Sequence, residues 1–384
     1  MTKMRYVPIN CLVSKMVVAN SVYDAYGDLL VPQGTALTRT LIEALKRLDF
    51  NGIYIEENFG GDEPVGIVST ITRRKAVSAV KRMFGVVNVE GVTPKQAQAA
   101  FEPLVVILDD IIDQVCNNKN LMINMVDLKN FDDYTYNHSV NVAVLAIALG
   151  ESFGLSRSEL YNLGVGAMLH DIGKAFVPMD IINKPEGLTD VEIMEMRKHP
   201  AEGLEYVENY LDVPYDALSA VIDHHERYDG TGYPAHKRGD AISLYGAIVA
   251  VADVFDAIIT DKPYRRGYSN QEAVEYIMGG AGTQFDPKVV STFVKRISPY
   301  PVGGIVKLSN GDIARVIMCT NRSLRPVVSV YMRDGVNLES PIVLDLQDSK
   351  YFNITIVEEI RSQEQSFVKE GPTSEHNIRY VRRR

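Results

Sequence analysis

Seven residues in the middle of the chain constrain its fold more than anything else: His138, His170, Asp171, His199, His224, His225 and Asp253. Each falls in or beside an apolar helical pattern, as in LGVGAMLHDIGK and IVAVADVFDAI. A lone histidine on a helix is more often a packing or surface residue than a ligand. A set is different, because buried histidines and carboxylates are costly unless they pair or hold a metal. Imidazole and carboxylate without thiolate suit iron, manganese, zinc or nickel. One bridging carboxylate with several histidines suggests two ions, about 3.5–4 Å apart. His236 and His376 sit in polar sequence and stay outside the set.

Composition narrows the class. The net charge of −9 over 384 residues argues against a duplex nucleic-acid binder, which needs a basic face. Cys11, Cys116 and Cys319 lie far apart and form no paired motif, so a reducing compartment is expected. The start, MTKMRYVPINCLV, lacks the sustained apolar core of a signal peptide. The longest apolar run, from Val142 to Gly150, is too short to span a bilayer. These features predict a cytoplasmic protein.

The expected architecture is mainly α, an all-helical catalytic domain between a small α+β N-terminal module and a small β-rich C-terminal one. The N-terminal module takes residues 1–58. Turn residues at Tyr26-Gly27-Asp28 separate its short strands, and Thr38 is placed to cap a helix with Leu41, Leu45 and Leu48 on one face. Residues 59–125 read as a linker, Gly60 to Pro64, and a helical connector broken near Gly85 and Gly91, with Thr93-Pro94 as a helix start. Nearly all of 126–298 has helical periodicity. From 299 to 360 the period switches to strands, with Asn310-Gly311 as a hairpin turn. The polar stretch 361–384 is expected to be a disordered tail.

The order of the seven residues resembles the HD superfamily of metal-dependent phosphohydrolases. HHERYDGTGYP, residues 224–234, narrows the likeness to its HD-GYP members, phosphodiesterases of the bacterial second messenger cyclic di-GMP. Every position of their HHExxDGxGYP pattern is filled. The likeness covers about residues 126–298 and includes HDIGK, the stretch around His199, VADVFDAIITDKPYR and GTQFDPKVV.

That resemblance implies a site. Asp171 bridges two divalent transition metals, with iron or manganese favoured and nickel, zinc or cobalt as alternatives. His170 and Asp253 complete one position with His138 near it, and His199, His224 and His225 hold the other. Water activated between the ions attacks the phosphodiester. Lys174 is expected at the scissile phosphate, positioned by Asp256, and Lys262 and Arg265 near the substrate's phosphates or guanine. Asp229, Gly230, Gly232, Tyr233 and Pro234 form a loop beside the metals, its glycines taking positive φ. That loop and the N-terminal module are candidate contacts for protein partners, and a homodimer is left open.

One position departs from the pattern. Some members carry a glutamate four residues before the first histidine, where it helps hold a third metal; here that residue is Tyr134. Asp133 is adjacent but about a hundred degrees away on a helix. Two ions are therefore expected, with the linear dinucleotide pGpG as main product and GMP as a further one. Two other readings stay open: a hydrolase specific for 3′,3′-cyclic GMP-AMP, and a catalytically weak cyclic-dinucleotide sensor acting through protein partners.

Overall fold

Three separate hydrophobic cores organise the chain. The computed structural model describes residues 3–9, 12, 14–23, 29–48, 50, 52–57, 67–87, 89, 91–117, 123–124, 134–182, 184, 187–260, 267–300, 302–320 and 322–360. The expected turn at Tyr26-Gly27-Asp28, the expected linker from Gly60 to Pro64, Lys262, Arg265 and the tail from 361 lie outside those residues.

The first core is small. Strands β1 (Lys3–Pro8) and β4 (Gly52–Glu57) pair antiparallel, as do β2 (Val22–Tyr23) and β3 (Leu29–Val31). Helix α1 (Arg39–Arg47) begins at Thr38, whose hydroxyl accepts the Leu41 N–H at 3.2 Å. Such a cap stabilises a helix by about 1 kcal/mol. The buried face of α1 is Ile42 and Leu45, not the expected line through Leu48. Leu48 is the C-cap, past the last regular turn, and is 39% exposed.

The second core is helical and large. Helix α2 (Thr70–Val87) passes through Gly85 without a break, and the turn comes at Gly91, with φ +76°. One glycine costs a helix about 1 kcal/mol, less than burying Met83, Phe84 and Val87 around it returns. Helix α3 (Pro94–Asn117) starts as expected, with Thr93 Oγ1 facing the Gln96 N–H. Both helices belong to the same core as everything up to β6: Phe84, Phe101 and Leu108 pack in one cluster with Val144, Leu163 and Phe255.

At the centre runs α4 (Tyr134–Ser152), buried at every position from Asn137 to Gly150. An all-round apolar helix of this kind belongs inside a protein or a membrane, and no described helix is long and apolar enough to cross a membrane. Helices α5 (Arg157–Leu169), α10 (Leu244–Ile259) and α12 (Pro287–Arg296) pack against it, and α6 (Met179–Ile182), α7 (Asp190–Met196), α8 (His199–Tyr210), α9 (Tyr215–Asp223) and α11 (Asn270–Gly279) complete the unit. Capping boxes at Ser156/Glu159, Thr189/Glu192 and Ser269/Glu272 set where α5, α7 and α11 begin. A short parallel pair, β5 (Ile123–Asn124) with β6 (Ile297–Ser298), adjoins α12.

The third core lies under one antiparallel sheet of β7 (Ile305–Leu308), β8 (Ile313–Met318), β9 (Val327–Arg333), β10 (Val336–Asp345) and β11 (Ile356–Glu359). Its order is β10-β9-β8-β7-β11. Asn310-Gly311 does turn the β7–β8 hairpin, with Gly311 at φ +87°. The fold class is thus the expected one: a helical domain flanked by two small β-containing modules.

One close approach fixes the geometry around HDIGK. A Cβ on Gly173 would stand 1.9 Å from the His199 carbonyl oxygen and 2.6 Å from the Gly203 nitrogen. Both neighbours are backbone in α8, so neither can rotate away. Gly173→Ala should therefore lower stability by about 3 kcal/mol. Gly187→Ala, where a Cβ meets nothing within 4 Å, should change it by less than about 0.5 kcal/mol. Urea unfolding of the two variants, side by side, checks the difference.

Candidate metal centre

Helix ends deliver most of the histidines. His170 is the C-cap of α5, His224 the C-cap of α9, and His199 the first residue of α8, just after α7. Helix C-termini leave carbonyls without intrahelical partners. Each imidazole takes one of them: His170 Nδ1 to Ala167 O at 2.7 Å, His199 Nδ1 to Met196 O at 2.7 Å, and His224 Nδ1 to Val221 O at 2.8 Å. A carbonyl only accepts, so Nδ1 carries the proton in all three. Their Nε2 atoms are left as bare lone pairs aimed at one another, the tautomer a metal needs.

Asp171 lies between them, 2% exposed, and its two oxygens face different groups. Oδ1 is 3.4 Å from His199 Nε2 and 3.8 Å from His224 Nε2. Oδ2 is 3.4 Å from His170 Nε2 and 3.8 Å from His138 Nε2. His138 Nε2 is also 3.0 Å from Asp253 Oδ1. Two ligands that each lie about 2.1 Å from a common ion are about 3.0–3.4 Å apart, so the contacts at 3.0 and 3.4 Å have the spacing of ligands around a cation. Two ligand groups result, Asp171 with His199, His224 and His225, and Asp171 with His138 and His170. His170 Nε2 is buried and makes no hydrogen bond among the described residues. An orphaned lone pair in such surroundings is costly unless a cation meets it. The donor set fits two divalent ions.

One expected role changes. Asp256 does not hold Lys174. Its Oδ2 takes the His138 Nδ1 hydrogen at 2.7 Å and its Oδ1 takes Asn141 Nδ2 at 2.9 Å. Lys174 Nζ instead donates to Asp171 Oδ2 at 2.6 Å. The reason is local geometry. The chain leaves α5 at Leu169 and continues as a 3-10 turn, Ile172–Phe176. Residues three apart eclipse in that conformation, which sets Lys174 over Asp171.

The GYP loop closes the other side. Tyr233 stacks on His225, ring centroids 4.8 Å apart, and the Arg197 guanidinium lies 5.2 Å from the Tyr233 centroid. Of the two expected positive-φ glycines only Gly230 qualifies, at +83°. Gly232 is required for another reason: a Cβ there would sit 2.3 Å from the Arg227 nitrogen. Asp229 makes a local turn, accepting the Thr231 N–H at 3.0 Å. Pro234 follows Tyr233 at the loop's return, where the buried Glu226 accepts the Ala235 and Lys237 N–H groups at 2.7 and 3.0 Å. Sequence reasoning missed Glu226, Asn141 and Arg197. Glu226 was already in the quoted motif, so its signal was available; the other two stood among ordinary helix polars.

Residues 119–289 match the family model described as HD domain. Over that segment the helical unit is similar to HD domains. The chain is 40% identical over 226 residues to a cyclic di-GMP phosphodiesterase of Pseudomonas aeruginosa, covering 59% of this chain and 54% of that protein. It is 39% identical over 149 residues to the cyclic di-GMP phosphodiesterase response regulator RpfG of Xanthomonas campestris, covering 38% and 39%. A 3′3′-cGAMP-specific phosphodiesterase of Vibrio cholerae matches at 33% over 159 residues, covering 41% and 30%. The chain thus spans about half or less of the length of these curated relatives.

Charges in the helical unit follow from burial and neighbours. Burial alone would lower His138, but hydrogen bonds to Asp253 and Asp256 outweigh it and raise its pKa to about 10. Burial would raise Asp171, but the Lys174 ammonium and then His170 hold it well below the usual carboxylate range. Burial dominates at His199, lowered to about 4, and at His225, lowered to about 3; His224 moves the same way. A histidine whose pKa falls on folding binds its proton more readily in the unfolded chain. Its neutral burial is therefore harmless above about pH 6.5 and increasingly destabilising below. The His138 contribution, present in full below 6.5 and lost as pH rises through about 10, is constant in that window. The lowered carboxylates fade only below about pH 4. Chelator-treated protein should therefore lose stability steadily from pH 6.5 to 4, and urea midpoints measured across that range check it. A flat profile would mean that these three rings are not held neutral.

Proposed function

We propose that this chain is a metal-dependent phosphodiesterase that hydrolyses cyclic di-GMP to pGpG. The observation that carries the reading is Asp171, whose two oxygens face two separate groups of histidines. Relatives named cyclic di-GMP phosphodiesterases support the substrate class. Divalent ions, iron or manganese by preference, supply Lewis acidity toward water and the scissile phosphate.

The chain's own residues do the rest. Asp171 would serve both ions, with His138, His170 and Asp253 to hold one and His199, His224 and His225 to hold the other. Asp256 holds the His138 ring so that Nε2 points inward. Lys174, resting on Asp171 Oδ2 with 29% of its side chain exposed, moves onto the phosphate when substrate enters. There it meets negative charge that grows in the transition state. The Tyr233–His225 stack lies against the second group of histidines. Lys262 and Arg265 are proposed for the outer phosphates or guanine, where a planar guanidinium fits either.

Asp171→Ala should abolish hydrolysis and bind fewer ions than wild type, because both positions lose a ligand. Lys174→Ala should keep both ions and lose turnover by about 10²–10³-fold. Elemental analysis beside steady-state rates, on protein purified without oxygen, separates the two. Full activity of Asp171→Ala, or metal loss in Lys174→Ala, would contradict the assignments.

Product order gives a second test. Tyr134, the first residue of α4, stands where a carboxylate would favour a third ion. Without that ion the linear product, whose opened diester is now a more highly charged terminal phosphomonoester, is held less well. Chromatography of a cyclic di-GMP digest should show pGpG accumulating before GMP, and Tyr134→Glu should speed the second cut. GMP appearing without pGpG would contradict this reading. Offering 3′,3′-cyclic GMP-AMP in the same assay tests the base preference; faster turnover of that substrate would overturn the substrate and leave the chemistry.

A further inference from the structure

The support of His138 continues beyond Asp256. Asn141 donates its Nδ2 hydrogen to Asp256 Oδ1 at 2.9 Å and accepts on its Oδ1 a hydrogen from Arg73 Nη1. A guanidinium only donates and a carboxylate only accepts, so the amide orientation follows from its neighbours. All four side chains are buried: Arg73 5% exposed, Asn141 5%, Asp256 1% and His138 4%. They come from three helices, α2, α4 and α10. A buried guanidinium is expensive unless it is well placed. The placement of α2 is itself fixed next door, where Thr72 donates to Asp110 of α3 at 2.7 Å and accepts from Gln114 at 2.7 Å. Arg73 lies outside residues 119–289, the segment that matches the HD domain.

We propose that Arg73 is a positioning residue of the metal centre: through Asn141 it sets the Asp256 carboxylate, which in turn aims His138 Nε2 at the ion shared with His170. The inference rests on the reading of this cluster as a metal centre. Arg73 touches neither ion nor substrate. By fixing the Asn141 amide it keeps one carboxylate oxygen occupied, so that the other is committed to the imidazole. Losing such outer support of a metal-binding histidine typically weakens affinity 10–100-fold.

The test is calorimetric titration of the chelator-treated full chain with Mn²⁺, with thermal unfolding of the same samples in chelator. Wild type should show two binding events. In Arg73→Met, which keeps an apolar stem but no donors, one event should weaken about 10–100-fold and the other stay unchanged. Arg73→Lys, which keeps the charge but not the planar fork, should fall between. Combined with Asp256→Asn, Arg73→Met should add little further loss, since both act on one path. A purely structural Arg73 would lower the unfolding temperature without touching Mn²⁺ affinity, and that result overturns the proposal. So does equal weakening of both events, or full additivity with Asp256→Asn. If Arg73→Met does not fold, Asn141→Leu cuts the same path from α4 without removing a charge and carries the same expected outcomes. A wild type that binds no Mn²⁺ overturns the metal reading, and this inference with it; two events in wild type with an unchanged variant overturn the inference alone.

Discussion

A carboxylate buried as deeply as Asp171 needs positive charge or hydrogen-bond donors on both oxygens. The arrangement of the helical domain follows from meeting that demand. α5 supplies His170 and ends there; α8 begins with His199; α9 ends with His224. Three helix ends converge on the carboxylate, joined by His138 and Asp253 from the faces of α4 and α10. This is economical in hydrogen bonds, because the carbonyls left open at those ends are what fix each imidazole's proton on Nδ1. Chain termination and ligand preparation are one event. The tight seat of Gly173 against α8 belongs to the same arrangement, since it holds the HDIGK turn at the distance the ligands require.

The ligand set was legible in the sequence because its members are the wrong residues for their surroundings. His and Asp inside apolar helical patterns announce a shared purpose, and the structure gathers those residues around Asp171. Local punctuation was legible as well, at Thr38, Thr93-Pro94 and Asn310-Gly311, because cap and turn chemistry acts over a few residues. Supporting partners were not. Asn141 and Arg73 carry no periodic or motif signal, and they meet Asp256 only after α2, α4 and α10 have packed. The assignment of Asp256 to Lys174 rested on spacing along one chain segment; a long-range partner, His138, took the carboxylate instead. Gly85 and Leu48 show the same limit on a smaller scale, where burial of neighbours or position past a helix end overrode the local expectation.

Packing also separates two things that sequence similarity joins. The HD match begins at residue 119, yet α2 and α3 contribute Met83, Phe84, Phe101, Leu104 and Leu108 to the core in which α4 is buried. A fragment starting at the edge of that match would bare one flank of its central helix to water. The lost burial would amount to roughly 2 kcal/mol for each large side chain, against a total stability of only about 5–15 kcal/mol for a typical domain. The smallest piece of this protein able to stand alone with its ligands in place is therefore longer than the piece that resembles its relatives, and its first indispensable turn is the one that opens α2.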